Sequence, residues 1–222
     1  MKHSLLVFLL ILGAGCVRHL PQSNPSFRPK DLLNQTVGMV QAIPGGWHTY
    51  CSGVFISQTK ILTAKHCVSA VVGQIVSFKM VTEYNISRNE ASQNPAHYAV
   101  VISLDEKEDL ALIDSVSVLP EHSYSVMEEQ PVSVSDDVQI VGHTSGLVYT
   151  YVKGVISAER ESEEGHHWYQ VSAPAFRGNS GGGVFSKDGK LIGICSQLWL
   201  RAPNVIFFVD RDSILKFLKY SE

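Results

Sequence analysis

Apolar residues along this chain come in short runs, each broken by glycine, proline or small polar residues. From about Thr36 such runs occupy 37–43, 53–57, 61–64, 75–81, 98–104 and 110–113. A polar interval at 119–130 follows, with Pro120 inside it and Pro131 just beyond. Further runs then occupy 138–142, 147–158, 168–173, 182–186, 191–197 and 204–209. Runs of this kind, bounded by turn residues, predict β-strands. Their spacing suits a sandwich or barrel and not alternating βα units, so the fold class is all-β. Asp188-Gly189, between two of the runs, predicts a two-residue hairpin turn. Only 212–220 has helical spacing, with Ile214, Leu215, Phe217 and Leu218 on one side and Asp210 or Asp212 as the cap. The polar interval splits the strands into two sets of about six, which puts a sub-domain boundary there.

The chain's 222 residues, 45% of them hydrophobic, suffice to bury a substantial core. Residues 1–16 read as a targeting segment: Lys2 and His3, an apolar run over 5–12, then the small residues Gly13-Ala14-Gly15. Leu12-Gly13-Ala14-Gly15-Cys16 resembles a bacterial lipoprotein signal, which would place a lipid on Cys16 and tether the chain to a membrane. The leucine lies one place further from the cysteine than that pattern has it, and ordinary secretion fits the segment as well. Residues 17–35, with Pro21, Pro25 and Pro29, show no period and read as a tether. Either route leads outside the cytoplasm, where disulfides persist. Cys51 and Cys67 flank two runs suited to pair as a hairpin, so a bridge between them is geometrically reasonable; Cys195, inside an apolar run, reads as a free buried thiol. A formal charge of −3 offers no basic field, which leaves a nucleic-acid partner without support. No apolar run is long enough for a mature membrane-spanning helix.

Three places carry candidate chemistry, in the order His66, Asp109, Ser180. His66 stands just past a predicted strand in Thr63-Ala64-Lys65-His66-Cys67, and Asp109 opens Asp109-Leu110-Ala111-Leu112-Ile113. Ser180 lies in the glycine-rich turn Gly178-Asn179-Ser180-Gly181-Gly182-Gly183. A serine alone is a weak nucleophile, and acyl transfer needs a histidine to take its proton and a carboxylate to orient that histidine. The N–H groups of Gly178 and Ser180 would face the developing oxyanion, an interaction worth roughly 3–4 kcal/mol per donor in known cases. Singly, His66 reads as a hydrogen-bonded structural histidine and Asp109 as a strand cap. All three together, in this order and in an all-β chain, favour the catalytic reading. Gly178-Asn179-Ser180-Gly181-Gly182 also fits the nucleophile elbow of α/β-hydrolases, but no histidine follows Ser180 and strands flank it, which excludes that fold.

The stretches 63–67, 109–113 and 178–182 together resemble those of chymotrypsin-like serine peptidases, over roughly 36–220. The resemblance implies a double six-stranded β-barrel with the active site between the barrels. The first would span about 36–119 and the second about 131–210, with a terminal helix at about 211–220. It also implies the Cys51–Cys67 bridge beside the histidine, and a Ser196 that touches the aspartate and lines the substrate's backbone path together with Arg177. Within the family, Gly146-Leu147, 153–158, 177–182 and 189–194 look like the HtrA-type and other bacterial secreted branches, without their PDZ domain.

Two departures from digestive members refine the expectation. Asn179 stands where those enzymes have the aspartate that pairs with a freshly cut N-terminus, which predicts competence without propeptide cleavage. Pro174 stands where trypsin has its acid, so a pocket of Pro174, Ala175, Cys195, Gln197 and Leu198 is expected to take a small or medium apolar side chain. A polypeptide substrate is expected, with neither cofactor nor metal. His143, His166 and His167 read as surface histidines instead of a metal site, since adjacent residues on a strand face opposite ways. Glu161, Glu163 and Glu164 read as a solvated loop. Two alternatives stay open: a peptidase-like binding module without catalysis, and an esterase using the same triad.

Overall fold

The strands of the computed structural model close into two antiparallel barrels of six strands each. The structure describes residues 29–68, 71–144, 147–163, 165–174, 176–198 and 204–221. Residues 1–28, with the targeting segment, Cys16 and most of the tether, lie outside them. In chain order the first half holds β1 (Thr36–Ile43), β2 (Gly46–Phe55), β3 (Lys60–Ala64), β4 (Ile75–Met80), β5 (Tyr84–Asn85), β6 (Glu90–Ala91), β7 (His97–Asp105) and β8 (Leu110–Ser115). The second half holds β9 (Asp137–Thr144), β10 (Leu147–Glu161), β11 (His167–Ser172), β12 (Gly183–Ser186), β13 (Leu191–Leu198), β14 (Val205–Asp210) and the helix α1 (Arg211–Lys219). The barrels run β1-β2-β3-β8-β7-β4 and β10-β11-β14-β13-β12-β9, and β5 and β6 form a separate two-stranded sheet.

Several strands carry largely apolar runs because both of their faces are buried there. On β3, Ile61 enters the first barrel's core while Leu62 enters the seam between the barrels. On β8, Ala111 and Ile113 face the first core, and Leu110 and Leu112 face the seam. On β13, Ile192 and Cys195 fill the second barrel, and Leu191 and Ile194 return to the seam. Successive side chains on a strand point to opposite sides, so a strand wedged between two cores needs an unbroken apolar run. The seam also takes Leu32, from the short 3-10 helix Pro29–Gln35, and Ile214 and Phe217 from α1.

Every predicted strand is present, and four details differ from the sequence reading. The packed fold already includes Pro29–Gln35, which the run of prolines assigns to the tether; Leu32 is the residue that anchors it. The hairpin at Asp188-Gly189 is a three-residue loop, closed by Ser186 N–H to Lys190 O at 2.8 Å, with Gly189 at φ 80°. That is a turn followed by a left-handed glycine, the next commonest hairpin after the two-residue type. The β5–β6 ladder was not foreseen, since each strand has only two residues. Asp210 caps α1 by accepting from Ser213 N–H at 2.8 Å, but Leu215 is exposed while Ile214 and Phe217 are buried.

Candidate active site

His66 and Asp109 lie just beyond one end of the same ladder. β3 and β8 pair antiparallel up to Ala64 opposite Leu110, and Lys65 N–H then donates to Asp109 O at 2.9 Å. The residue following Lys65 and the one preceding Leu110 are thereby brought side by side. His66 Nδ1 lies 2.8 Å from Asp109 Oδ2, and the His66 N–H donates to Oδ1 at 3.0 Å. Asp109 holds a left-handed φ of 54°, a conformation aspartate tolerates better than most residues. Burial pushes the Asp109 carboxyl up. The hydrogen bonds from His66 and Ser196 and the His66 charge together outweigh it and hold the group below the ordinary aspartate range. The Cys51–Cys67 disulfide closes beside this histidine, across a sequence separation of 16.

Ser180 reaches the same place from the second barrel. Its turn is tied to β13 by Gly181 N–H to Cys195 O at 2.7 Å and by Cys195 N–H to Gly182 O at 2.9 Å. It is tied to the first barrel by Ser52 N–H to Ser180 O at 2.8 Å. Gly181 has φ 79°, and a Cβ there would overlap Ser52 O and Thr63 Oγ1, so no larger residue fits. Among the described residues, no backbone acceptor takes the N–H of Gly178 or Ser180, while the intervening Asn179 N–H turns back to Phe176 O at 3.5 Å. The Ser180 hydroxyl makes its hydrogen bond to Ser196 O at 3.4 Å and not to His66.

Ser196 joins these parts. β13 carries a bulge between Cys195 and Gln197 in its register with β14, which leaves Ser196 as the extra residue. Bulges re-aim a side chain, and this one sends the Ser196 hydroxyl to Asp109 Oδ2 at 2.5 Å. Of the other expected cleft residues, Pro174, Arg177 and Gln197 are exposed. Cys195 is 2% exposed and packs in the second barrel's core, where burial pushes its thiol up to about 12. Ala175 and the side chain of Leu198 lie outside the described residues.

The reading of His143 as a surface residue is wrong. It is fully buried among Tyr84, Tyr149 and Ser52, and burial lowers its imidazole to about 3. His166 is buried too, stacked on Trp168, whereas His167 meets Glu159 at 2.6 Å. Cys51, His66 and Cys67 lie within metal-ligand reach of one another, but the two sulfurs are bonded to each other. Sequence reasoning missed Ser52 and Thr144, both buried against the Ser180 turn. Its one available hint was His143, which ends an apolar strand where a surface residue would be unusual.

Two closed six-stranded barrels with serine, histidine and aspartate gathered at their junction define a chymotrypsin-like fold. A profile of the trypsin-like peptidase domain matches residues 51–194, and the chain belongs to that family. It is 30% identical over 179 residues to the probable periplasmic serine endoprotease DegP-like of Buchnera aphidicola subsp. Baizongia pistaciae, covering 78% of this chain and 36% of that protein. It is 28% identical over 149 residues to the periplasmic pH-dependent serine endoprotease DegQ of Escherichia coli, covering 64% and 30%. The chain thus spans about a third of the length of these curated relatives. Among solved structures, the Rv3671c protease from M. tuberculosis in its active form aligns with a TM-score of 0.67 at 18% identity, over 86% of this chain and 82% of that one. The serine endoprotease from Yersinia pestis gives the same score and identity over 89% and 68%. These two likenesses concern the fold.

Proposed function

We propose that this chain is an extracytoplasmic serine endopeptidase in which Ser180 is the nucleophile, His66 the general base and acid, and Asp109 the residue that orients His66. One observation carries the reading: Asp109 accepts both the imidazole and the backbone N–H of His66, which fixes the ring with Nδ1 toward the carboxylate and Nε2 toward the cleft. The Ser180 hydroxyl swings from Ser196 O to His66 Nε2, a rotation about a single bond between staggered wells. As its oxygen bonds to the scissile carbonyl carbon, the proton passes to Nε2 and the N–H groups of Gly178 and Ser180 receive the oxyanion. Collapse breaks the C–N bond, and Nε2 returns the proton to the leaving amine. Water then attacks the acyl-enzyme by the same route.

The side chain bound before the cut is small or medium and apolar, since nothing acidic stands at Pro174 and Cys195 is a neutral, buried thiol. No ion pair with a new N-terminus is needed, because the Asn179 side chain accepts from the Thr144 hydroxyl at 2.7 Å. The location is read from the apolar leader and from the two relatives named as periplasmic. A lipid on Cys16 would hold the domain at a membrane through the tether. Among the described residues no helix is long and apolar enough to cross one.

The test is labelling by a fluorophosphonate, with cleavage of a proteome-derived peptide library by wild type and Ser180→Ala. Labelling lost in Ser180→Ala, with cuts after small or medium apolar residues, supports the reading. Folded wild type that neither labels nor cleaves would sink it, and cuts mainly after Arg, Lys or Glu would overturn the stated preference. Metabolic labelling with a fatty acid, abolished by Cys16→Ser, tests the anchor.

A further inference from the structure

One residue outside the triad contacts both ends of the segment that carries the two N–H donors. We propose that Ser52 on β2, assisted by Thr144 on β9, is a positioning residue that sets the amides of Gly178 and Ser180 for transition-state binding; this rests on the peptidase reading above. The Ser52 hydroxyl donates to Gly178 O at 2.8 Å, and its N–H donates to Ser180 O at 2.8 Å. These two carbonyls bracket Asn179 and the N–H of Ser180. Thr144 holds the residue between them by donating its hydroxyl to Asn179 Oδ1 at 2.7 Å.

Local preference does not fix this turn. Gly178 has φ 101°, and glycine populates positive and negative φ about equally, so the orientation of its peptide groups must be imposed from outside. Ser52 is well placed to impose it. It is fully buried, its carbonyl accepts from the Thr63 hydroxyl at 2.6 Å, and its own hydroxyl accepts from His143 N–H at 3.0 Å. The brace therefore has one foot on β3, beside the strand end that carries His66, and another on β9 of the second barrel. Gly142 on β9 makes this possible, since a Cβ there would stand 3.0 Å from Asn179 Oδ1 and 3.1 Å from Ser52 Oγ. Stabilisation of an oxyanion depends on donors that are already aimed, and a turn free to rock would give up part of that stabilisation without losing substrate affinity.

The plain alternative is that Ser52 is a buried hydroxyl satisfied by convenient acceptors. Ser52→Ala, Ser52→Thr and Thr144→Val separate the two, with steady-state kinetics on the best library peptide and hydrogen exchange of the segment 176–182. In Ser52→Ala, kcat should fall at least tenfold with KM within threefold, and Ser52→Thr should recover most of the loss. The amides of Gly181 and Gly182 should exchange at least tenfold faster in Ser52→Ala, while those of β13 and β14 keep their rates. A kcat within twofold of wild type, a change confined to KM, or unaltered exchange in the turn overturns the proposal. If Ser52→Ala does not fold, Thr144→Val carries the same two readouts with the same limits. A wild type inert to fluorophosphonate removes the peptidase reading alone, because the exchange measurement still decides whether Ser52 holds the turn.

Discussion

Ser196 and Asp109 meet across the two barrels, the Ser196 hydroxyl donating to Asp109 Oδ2 at 2.5 Å while the Ser196 carbonyl accepts from Ser180. The aspartate is thus held by His66 on one side and by the barrel that carries Ser180 on the other. Asp109→Asn keeps the shape but presents a donor, NH2, to a histidine that needs an acceptor. The measured kcat should drop by about 10³–10⁴ with the fold intact. Ser196→Ala removes one hydrogen bond to a charged group, and kcat/KM should fall by roughly tenfold, in keeping with about 1.5 kcal/mol for such a bond. If Asp109→Asn retains wild-type kcat, Asp109 is not the orienting residue.

His143 makes the fold sensitive to acid. Its imidazole is held at about 3, below an unfolded value of about 6.5. Between these pH values the unfolded chain binds a proton that the native one does not, so stability is lost as pH falls through the window. The slope from this one group approaches 1.4 kcal/mol per pH unit. Among the described residues its Nε2 has no hydrogen-bond partner, and its Nδ1 meets the Ser52 hydroxyl at 3.3 Å. His143→Phe therefore gives up one long contact, should fold and should lose about one proton's worth of that slope. Urea denaturation at a series of pH values between 4 and 7 gives the comparison. An unchanged slope would mean that another group titrates.

The Cys51–Cys67 bridge closes a loop across a sequence separation of 16, and Cys67 directly follows His66 in the chain. Replacing both cysteines by serine should cost roughly 3 kcal/mol in the chain-entropy model. The loss should appear in the denaturation midpoint, and activity per folded molecule should drop as well, since the backbone of His66 adjoins Cys67.

Cys195 should be chemically silent in the native state. Its thiol is pushed up to about 12 and packs among Ile140, Ile192 and Phe208. Titration at pH 8 with a thiol reagent should find it unreactive until the protein unfolds. Rapid native labelling would show that the second barrel opens, or that this thiol lines an accessible cleft.

The strands were legible because burial on both sides of β3, β8 and β13 writes unbroken apolar runs into the sequence, and short runs between turn residues have few other readings. His66, Asp109 and Ser180 were legible because each stands in a distinctive local setting. Ser52, Thr144 and His143 were not, because nothing next to them in sequence differs from an ordinary strand; Ser52 finds His143 and Gly178 in the other barrel, and Thr144 finds Asn179 far along the chain. Leu32 was hidden for a related reason. The prolines around it speak for an open tether, and only the seam, which exists once the barrels are assembled, draws it in. Cys195 and Ser196 differ by one position, yet the bulge that sends one to the core and the other to Asp109 leaves no mark in the residue types.

The shared seam has a mechanical consequence. β3 and β8 carry His66 and Asp109 just beyond their ends and bury Leu62 and Leu110 against Val141, Phe185 and Ile194 of the other barrel. A swing of one barrel against the other would tear that packing, so the jaws of the cleft are in effect welded. On the proposed peptidase reading, substrates of different shape are met by loops at the rim, while His66 and Asp109 stay where the weld holds them.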